Sequence, residues 1–587
     1  MGSNPLNRGL QGACAFSEYF RAGVRNGKRK ERFRMALQMT PPDRNDGAGG
    51  RLRIGVALDS YNVSAWIGRI IEDFVNADFL EVVLVILPRS EREAGNGSGA
   101  SWLFRKYAEW DGRRGPFEDD PLSIVDVSSH LADVPAANLA QPDGVDELLA
   151  YSLDVLIWLA SPEPEFSLRT AARYGVWLYR QRAPAYFWEL YERNPVSRSA
   201  LEVGYEQADA PLVVYEAFSA TEQGWSWQQN RRVPYWRAST FALRSLRQLH
   251  TKQAEGLGAI QAPQHEAEAV AAVGGAPTNL QMAGFLLRNA MRTVNRRIRY
   301  SQKESYWFVA YRTARSKFVS NAEGLDLRGF ETIRAPDEHF YADPFMIEWH
   351  GRNYLFVEDY LFAQRRGCIS VMEISVSGAA SEAERVLDLP YHLSYPFVFE
   401  HEGGLYMIPE TLGSGRIELY RAVDVPTRWE FVKSLREDVQ AVDTTLWVEN
   451  GQFYFFTNIA QRGATVNDDL YLFSADRLLG EWKPHPANPI VTDVRRSRGA
   501  GKLFRRNGRL IRPAQDCSVR YGYACQLNEI EALTPTDYRE RPVQRIEPDW
   551  APGLIGTHTI NSNGGFEVID GQIYAKRYAG KGESGNR

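Results

Sequence analysis

The sequence has little cysteine, no long apolar run and no signal peptide. Four cysteines occur in 587 residues, and their spacing fits neither a disulfide framework nor a paired CxxC zinc site, so we expect buried free thiols. No run approaches the roughly 18 apolar residues that span a bilayer, and the N-terminus lacks the apolar core of a signal peptide. These absences predict a cytoplasmic protein with at most peripheral membrane contact.

Two further absences concern the ligands. The net charge is −4 at pH 7, so the chain has no global basic field, and we expect no nucleic acid partner. The loop after the first apolar strand, residues 52–58, contains no GxGxxG and no Walker motif, so it gives no evidence for a glycine-rich loop that binds phosphate. The separations of His339, His392 and His558 give no local ligand motif. We therefore predict no metal and no required cofactor.

The second half of the chain contains a repeat, in which a short polar cluster precedes an aromatic-rich pair of strands. The cluster returns at intervals of roughly 50 to 60 residues. This period, with strands and glycine-containing turns, predicts an all-β propeller of five blades. Because innermost strands start near a common axis, we expect the clusters to converge on one axial pocket. The clusters are Tyr341–Phe345, Ser394–Phe397, Val442–Leu446, Arg498–Lys502 and Gly556–Ile560.

The first half predicts a different architecture. Residues 1–50 are polar, Gly-rich and basic, and are expected to form a disordered arm. Apolar strands at 52–58, 80–86 and 155–159 follow, with an amphipathic helix between the first two. This order is typical of a parallel sheet that is covered on both faces, as in Rossmann-like α/β domains.

A linker and a helix separate the two halves. The stretch 253–276 is rich in Ala, Gln and Gly, as linkers are. The helix runs from Leu280 into the basic segment Arg296–Arg299, and the strand Trp307–Tyr311 comes next. In ring folds such a strand often completes the last blade, where we expect it to pair. The predicted divisions are the arm at 1–50, the α/β domain at 51–252, the linker and helix at 253–305 and the propeller at 306–587.

Two segments of the first half, Ala171–Val176 and Ala208–Val213, resemble the N-terminal domain of methionyl-tRNA formyltransferase and of sugar N-formyltransferases. The resemblance implies that Leu178, Arg180 and Asp209 stand where the family has its active-site Asn, His and Asp. Leucine cannot donate to an oxyanion, and an always-protonated arginine cannot act as a general base. The domain is therefore expected to keep this fold without formyl transfer, and either to bind a nucleotide or sugar or only to scaffold.

Six propeller motifs carry a second resemblance: His339–Phe345, His392–Pro396, Met407–Thr411, Trp482–Pro486, Arg512–Cys517 and Gly556–Thr559. Together they resemble the N-terminal domain of plant glucosamine inositolphosphorylceramide transferases, which also occurs in bacterial proteins beside a formyltransferase-like domain. In the plant proteins the recognised glycosyltransferase is a separate C-terminal domain, for which these residues show no counterpart. The family name therefore does not by itself imply an activity here.

A more distant resemblance is to the five-bladed glycoside hydrolases of families 43 and 32. It implies that Asp343 matches the Asp of their first blade and that Asp443 is similar to their auxiliary Asp. Candidates for the general acid are Glu410, Glu358 and Asp516. Glycosidic bond chemistry needs one carboxylate as base or nucleophile and one carboxylic acid that protonates the leaving oxygen. Crowded carboxylates raise the pKa of one among them, which makes it an acid near neutral pH. We predict Asp343, Asp443 and Glu410 as catalytic.

Further residues are predicted to bind the substrate. Histidines hydrogen-bond hydroxyls or move protons, an arginine holds a phosphate or carboxylate, and aromatic rings stack on sugars. The predicted set is His339, Tyr341, Glu358, His392, Tyr395, Arg512, Asp516, His558 and Asn561.

Structural roles stay open for several of these residues. Asp343 and Asp443 also suit the capping of turns. Glu410 would equally suit a salt bridge with Arg416 or Arg421, and Arg512 would suit one with Asp516.

The leading hypothesis is a carbohydrate-active enzyme that transfers a glycosyl group in surface polysaccharide or glycolipid biosynthesis. Its substrate would be a carbohydrate or glycolipid, with a nucleotide sugar as candidate donor. One alternative is a non-catalytic glycan- or nucleotide-sugar-binding scaffold for a partner glycosyltransferase, and another is a glycoside hydrolase. The two-carboxylate mechanism requires a second carboxylate within about 10 Å of Asp343.

Overall fold

The fold was analysed on a computed structural model of the chain. The predicted basic arm, Cys14, Asp209 and most of the predicted linker lie outside the residues that it describes. The described residues are 50–87, 100–113, 119–138, 148–161, 164, 168, 171–204, 212–222, 224–251, 275–300, 303–313, 327–563 and 565–576.

The first half forms a seven-stranded sheet in the order β5-β3-β1-β6-β7-β8-β9. The first five strands in this order are parallel, and β1, β3 and β6 coincide with the predicted apolar strands. β5 was not predicted, and neither was the antiparallel edge that β8 and β9 add. A short antiparallel pair, β2 with β4, lies beside the sheet. The strands are β1 Leu52–Ala57, β2 Asn62–Ser64, β3 Leu80–Leu87, β4 Ile124–Asp126, β5 Ala136–Asn138, β6 Val155–Trp158, β7 Val176–Arg180, β8 Val196–Gly204 and β9 Leu212–Ala220.

The helices Ala65–Val75, Trp227–Ala238 and Phe241–Thr251 pack on this sheet, whereas Asn279–Tyr300 packs on the helix Trp102–Gly112. The first helix buries Trp66, Ile70, Ile71 and Phe74 against the strands, as the spacing of its apolar residues predicts. The helices are Ala65–Val75, Trp102–Gly112, Phe187–Glu192, Trp227–Ala238, Phe241–Thr251 and Asn279–Tyr300, with 3₁₀ turns at Ser128–Leu131 and Leu412–Ser414. Among the described residues, none of the helices is both long enough and apolar enough to cross a membrane.

The second half is a five-bladed β-propeller, as the repeat predicts. Blades one to four are four-stranded antiparallel sheets that follow one another along the chain. Blade one is β12 His339–Trp349, β13 Arg352–Leu361, β14 Arg366–Ile374 and β15 Glu384–Leu387; blade two is β16 Ser394–His401, β17 Gly404–Glu410, β18 Ile417–Asp424 and β19 Arg428–Arg436; blade three is β20 Ala441–Glu449, β21 Gln452–Ile459, β22 Leu470–Ala475 and β23 Lys483–Pro484; blade four is β24 Phe504–Arg506, β25 Arg509–Asp516, β26 Ala524–Leu533 and β27 Tyr538–Ile546.

Blade five joins both ends of the propeller. Strand β10, Lys303–Thr313, pairs along its whole length with β30, Phe566–Lys576, so that Lys303 lies opposite Lys576 and Thr313 opposite Phe566. The expectation that the strand around Trp307 completes the last blade is therefore confirmed. Blade five consists of β10 Lys303–Thr313, β11 Glu331–Ile333, β28 Leu554–Gly556, β29 Ile560–Ser562 and β30 Phe566–Lys576.

The two halves share a buried polar contact. Arg237 is 2% exposed, and its guanidinium lies 2.6 Å from Asp469 and 3.6 Å from Asp468. Edge strand β9 also exchanges backbone hydrogen bonds with the propeller, because Phe218 accepts from Val494 and donates to Thr492. Three of the four cysteines, Cys368, Cys517 and Cys525, are free and buried, as predicted.

Candidate active site

Three blades begin with the same backbone irregularity. In each, the pairing of the inner strand with the second strand shifts register, and one residue at the shift has a positive φ. Such bulges redirect side chains, and a non-glycine residue with positive φ costs of order 1–3 kcal/mol. The residues are Asp343 (φ 49°) in β12, Tyr395 (44°) in β16 and Asp443 (51°) in β20. The polar clusters of the repeat thus share a strained local geometry.

A second set of polar side chains lies on the strands that pair with these bulges. Glu358, Glu410 and Asn458 each follow the bulge residue of their blade by 15 positions, and they pair with Ala342, Ser394 and Val442. All three are buried. Each of these blades therefore contributes two polar side chains to the same level of the ring.

Blade five adds a histidine between two carboxylates. Nδ1 of His558 lies 2.5 Å from Oδ2 of Asp570, and its Nε2 lies 3.7 Å from Oδ1 of Asp343. Thr559 donates its hydroxyl to the same Asp343 oxygen at 2.6 Å, and Tyr395 donates its backbone N–H to the other at 3.2 Å. Blades one, two and five therefore meet at Asp343.

These three side chains are also the candidate cation ligands among the described residues. One ligand atom each from Asp343, His558 and Asp570 lies within 4.8 Å of the others. Asp343 therefore has a second carboxylate well within about 10 Å, as a two-carboxylate mechanism requires. Because the close contacts of His558 with Asp570 and Asp343 account for this proximity, we assign no metal to the group.

Arg498 of the fourth cluster connects blades two, three and four. Its Nε donates to Asp443 at 2.7 Å, and its Nη2 lies 3.5 Å from Oε2 of Glu410. Gln515 donates its side-chain amide to the same Asp443 oxygen at 3.1 Å. The predicted pairing of Glu410 with Arg416 or Arg421 is wrong, because its guanidinium partner is Arg498. We define the axial site as Asp343, Glu358, Tyr395, Glu410, Asp443, Arg498, His558 and Asp570.

The carboxyl groups of Asp343, Glu358 and Glu410 in the axial site have raised pKa values. Burial raises the pKa of Glu410 to about 8, with Asp443 acting in the same direction and Arg498 against it. Burial likewise raises the pKa of Asp343 to about 6, although the nearby His558 lowers it. The pKa of Glu358 is raised well above its usual value by burial and by the charges of Asp343 and Glu410. Near neutral pH the site thus combines protonated and ionised carboxyl groups.

His558 responds in the opposite sense to its burial. Burial lowers its pKa, but the carboxylates of Asp570 and Asp343 outweigh that effect, so the net shift is upward. The imidazole therefore holds its proton between two acidic side chains. Trp307 of β10 stacks on its ring with 3.9 Å between centroids.

An exposed tyrosine lies beside the buried charges. Tyr521 is 42% exposed, its ring centroid is 4.7 Å from Cζ of Arg498, and it meets the ring of His558 edge-on at 5.4 Å. His392 lies 3.4 Å from Glu358, and its side chain is 41% exposed. These two side chains mark where the axial site reaches the surface.

Of the predicted residues, the structure brings together Asp343, Asp443, Glu410, Glu358, Tyr395 and His558, with His392 at the rim. His339 lies apart from them in a pair with Asp359, at 2.6 Å. Tyr341 is buried in an apolar cluster with Met346 and Leu355, so it offers no face to a sugar. Asn561 donates to the carbonyl of Pro344 and accepts from the N–H of Lys502, so its side chain links neighbouring strands.

Two predicted substrate ligands lie in blade four outside the axial site. Arg512 is 2% exposed and makes two 2.8 Å hydrogen bonds to Glu540. Asp516 accepts from Ser518 and lies 2.5 Å from a guanidinium nitrogen of Arg545. The suggested pair of Arg512 with Asp516 is therefore wrong. Because its guanidinium is fully buried with Glu540, Arg512 cannot hold a substrate phosphate in this structure.

Sequence reasoning missed Asp570. The 15-residue spacing in blades one to three is a signal that points to Glu358 and Glu410, but the sequence reasoning did not use it. The same spacing does not reach Asp570, because blade five has a short connection between β29 and β30. Its counterpart positions, Thr559 and Asp570, are 11 residues apart.

Residues 331–549 match a protein family described as glucosamine inositolphosphorylceramide transferase 1, N-terminal. The rice (Oryza sativa subsp. japonica) glucosamine inositolphosphorylceramide transferase 1 is 36% identical over 209 residues, which cover 35% of this chain and 28% of that protein. Its Arabidopsis thaliana counterpart is 35% identical over 206 residues, 34% of this chain and 27% of that protein. The match therefore spans less than a third of the length of these relatives.

Solved structures similar to the propeller include glycoside hydrolases at low identity. The catalytic domain of a Coprinopsis cinerea GH62 α-L-arabinofuranosidase has a TM-score of 0.28 at 12% identity, covering 39% of this chain and 90% of that one. A family 117 glycoside hydrolase of Zobellia galactanivorans has a TM-score of 0.29 at 12% identity, covering 45% and 90%. The assignment of five blades rests on the strand pairing. The resemblance predicted for the propeller is confirmed by the match of residues 331–549 to the N-terminal glucosamine inositolphosphorylceramide transferase family.

Proposed function

We propose that the axial site makes or breaks a glycosidic bond while transferring a glycosyl group to a glycan or glycolipid. The observation that carries this proposal is the crowding of five carboxyl groups around Arg498 and His558. Enzyme sites place titratable groups in this way when one must donate a proton and another must accept one. The pKa of Glu410, raised to about 8, supports its assignment as the group that stays protonated at neutral pH.

The roles follow from the surroundings of each group. Glu410 donates its proton to the oxygen that leaves the anomeric carbon as the bond between them breaks. Asp343, with a pKa raised to about 6, is largely ionised at pH 7 and takes the proton from the attacking acceptor hydroxyl as the new bond forms. Arg498 holds Asp443 beside Glu410, so Asp443 acts by raising the pKa of the acid rather than by touching the sugar.

The class of reaction is inferred from chemistry and from relatives together. The curated relatives are named as transferases, which favours transfer over hydrolysis. A nucleotide sugar is the proposed donor and a glycolipid the proposed acceptor. Tyr521 is the exposed ring on which a sugar would stack, and no bound cofactor is needed for these steps.

A glycan-binding scaffold is the second candidate, and a specific observation favours it. The oxygens of Asp343 and Asp443 already accept hydrogen bonds from Tyr395, Thr559 and Arg498, and both carboxylates are 3% exposed. A general base needs a carboxylate oxygen that is free to accept a proton, whereas a site that only binds a sugar does not. On this reading the propeller would position a sugar for a partner glycosyltransferase.

The α/β domain is proposed to carry no formyl transfer. Leu178 is 6% exposed in the core, and the guanidinium of Arg180 lies 3.2 Å from Glu202. Leu178 packs in the core beside the sheet and Arg180 pairs with Glu202 of β8, which supports the expectation that the domain does not transfer formyl groups.

The test is turnover with a panel of nucleotide sugars and a glycolipid acceptor, followed by release of the nucleotide. We expect Asp343→Asn and Glu410→Gln each to reduce turnover by about 10³-fold or more, because each removes a proton acceptor or donor. Asp516→Asn is the matched control, since this carboxylate is equally buried but lies in blade four.

Each outcome decides between the candidates. Unchanged turnover in Asp343→Asn would contradict the proposed chemistry. If the wild type binds a sugar of the panel but turns over none, and the isosteric variants bind equally well, the scaffold is the better reading.

A further inference from the structure

The helix Asn279–Tyr300 attaches to the α/β domain by one face only. Met282 and Phe285 are 0% and 2% exposed, and Phe285 packs against Tyr107 and Phe187. The N-terminal end is tied down by Asn279, whose side chain accepts the backbone N–H of Leu103. Residues 291–299 are all exposed, and the second half of the helix contacts the domain through the indole N–H of Trp225, which donates to the hydroxyl of Thr293 at 3.0 Å.

The opposite face of this helix is an exposed apolar stripe. Its members are spaced by seven, four, three and four residues, which places them within one face of an α-helix. The sequence analysis noted apolar residues at helical spacing here, and the structure leaves several of them facing solvent. The stripe is Leu280 (83% exposed), Leu287 (58%), Met291 (56%), Val294 (56%) and Ile298 (73%).

Positive charge accompanies the stripe. The helix carries five arginines and no Asp or Glu, in a chain whose net charge is −4. Arg193, which lies outside the helix, adds positive charge beside it. Burial, and then the nearby charges of Arg193 and Arg296, lower the pKa of Arg292. The guanidinium of Arg288 lies 4.8 Å from the ring of Tyr191. The five arginines are Arg288, Arg292, Arg296, Arg297 and Arg299.

We propose that this helix docks the protein on an anionic lipid bilayer, lying in the plane of the interface. An amphipathic helix of this composition buries its apolar face at the boundary of the acyl chains while arginines meet anionic headgroups. Charge complementarity selects this occupant over a second copy of the chain. Two such helices face to face would oppose their arginines with no acidic side chain between them.

The proposal is independent of the reaction at the axial site. Two positions separate Tyr300, at the end of the helix, from Lys303, where β10 begins. β10 belongs to blade five and carries Trp307, which stacks on His558. Docking would therefore hold blade five close to the lipid surface, whether the site transfers a sugar or only binds one.

The test is cosedimentation of the full chain with phosphatidylcholine vesicles that contain either none or about 30% phosphatidylglycerol. We expect binding to the anionic vesicles at least tenfold tighter than to the neutral ones, and weaker binding as salt rises. Leu287→Asp with Val294→Asp should lower the affinity about tenfold or more. Val376→Asp is the matched control, because Val376 is 87% exposed on blade one.

A second variant examines the charges. Replacing Arg296, Arg297 and Arg299 by Gln should lower affinity for anionic vesicles by about tenfold or more, whereas the same change at the exposed Arg428, Arg477 and Arg509 of the propeller should not. Circular dichroism checks that each variant is folded. Equal binding to neutral and anionic vesicles, or full binding by the Leu287→Asp/Val294→Asp variant, would overturn the proposal. So would a dimer in solution that the same variant dissociates, with no vesicle binding by the wild type.

Discussion

Two of the clusters of buried ionisable groups in the propeller differ in their balance of charge. In blade four, Glu540 accepts from Arg512 twice at 2.8 Å, from Arg496 at 3.2 Å and from Tyr538 at 2.6 Å. One carboxylate there faces two guanidinium groups. In the axial site, five carboxyl groups face Arg498 and His558.

The pKa values move in opposite directions as a result. Burial alone would raise the pKa of Glu540, but Arg512 and Arg496 outweigh it, and the net shift is downward. Burial raises the pKa of Glu410 to about 8, and Arg498 does not compensate for it. A compensated cluster, in which buried arginines balance the carboxylate, contributes to the stability of the blade. A cluster with more carboxyl groups than cationic side chains keeps some of them protonated at neutral pH, so that they can act as acids.

The largest expected effect breaks the compensated cluster. Arg512→Ala leaves Glu540 buried with Arg496 as its remaining guanidinium partner, and should destabilise the propeller by about 3–5 kcal/mol. Calorimetry of the propeller transition measures this. Replacing all three charged residues, Arg512→Met, Arg496→Met and Glu540→Leu, is the control and should recover much of the loss. A loss below about 1 kcal/mol for Arg512→Ala would show that the cluster contributes little to stability.

A pH-dependent effect separates the two clusters. Glu410 keeps its proton in the folded state until about pH 8, whereas in the unfolded chain it ionises near its usual value of 4.5. Because only the unfolded chain releases this proton between the two pKa values, the free energy of unfolding falls as pH rises from about 4.5 to about 8. Glu410→Gln should thus gain about 1–3 kcal/mol relative to the wild type between pH 5 and pH 8.5.

Glu540→Gln is the comparison for this measurement. The folded pKa of Glu540 is lowered, so its contribution is present above the unfolded pKa and is lost as pH falls through the folded value. This variant should therefore be less stable than the wild type at neutral pH. Melting temperatures of both variants at the two pH values provide the test. The same difference at both pH values for Glu410→Gln would contradict the raised pKa.

The smallest expected effect concerns the rim. Tyr521→Ala removes an exposed ring beside Arg498 and His558, and should weaken sugar binding about tenfold with little change in stability. Tyr521→Phe keeps the ring and should bind normally. Phe431→Ala, at a 52% exposed position of blade two, is the control for loss of an aromatic surface residue. Equal binding in all three variants would remove Tyr521 from the site.

The sequence predicted the features that repeat along it. The five blades and the convergence of Asp343, Tyr395, Asp443, Arg498 and His558 could be predicted from the spacing, because the clusters recur at similar intervals and three of them lie at the same bulge of an inner strand. The parallel strands β1, β3 and β6 were also predicted, because each is a continuous apolar run, whereas the short strand β5 was not. Edge strands β8 and β9 were not predicted. Their antiparallel pairing depends on which strand of the sheet has an unpaired edge, and the sequence of the two strands does not show this.

Partners distant along the chain could not be read in this way. Glu410 pairs with Arg498, 88 positions later, although Arg416 and Arg421 are much nearer in sequence. Arg512 was assigned to the substrate because residue type does not reveal which partner its side chain meets. In the structure that partner is Glu540, 28 positions away in β27.

The pairing of β10 with β30 has a consequence for the order in which the protein is made. His558 and Asp570 come after the other residues of the axial site in the sequence, so they are synthesised later than the other carboxylates. Until the segment that ends in β30 emerges from the ribosome, β10 cannot pair with β30. Trp307 then cannot stack on His558, and Asp343 cannot accept the hydroxyl of Thr559. Contacts between such distant segments form slowly. Assembly of the catalytic candidates is therefore expected to be among the final events of folding, which makes the acquisition of activity a direct report on closure of the ring.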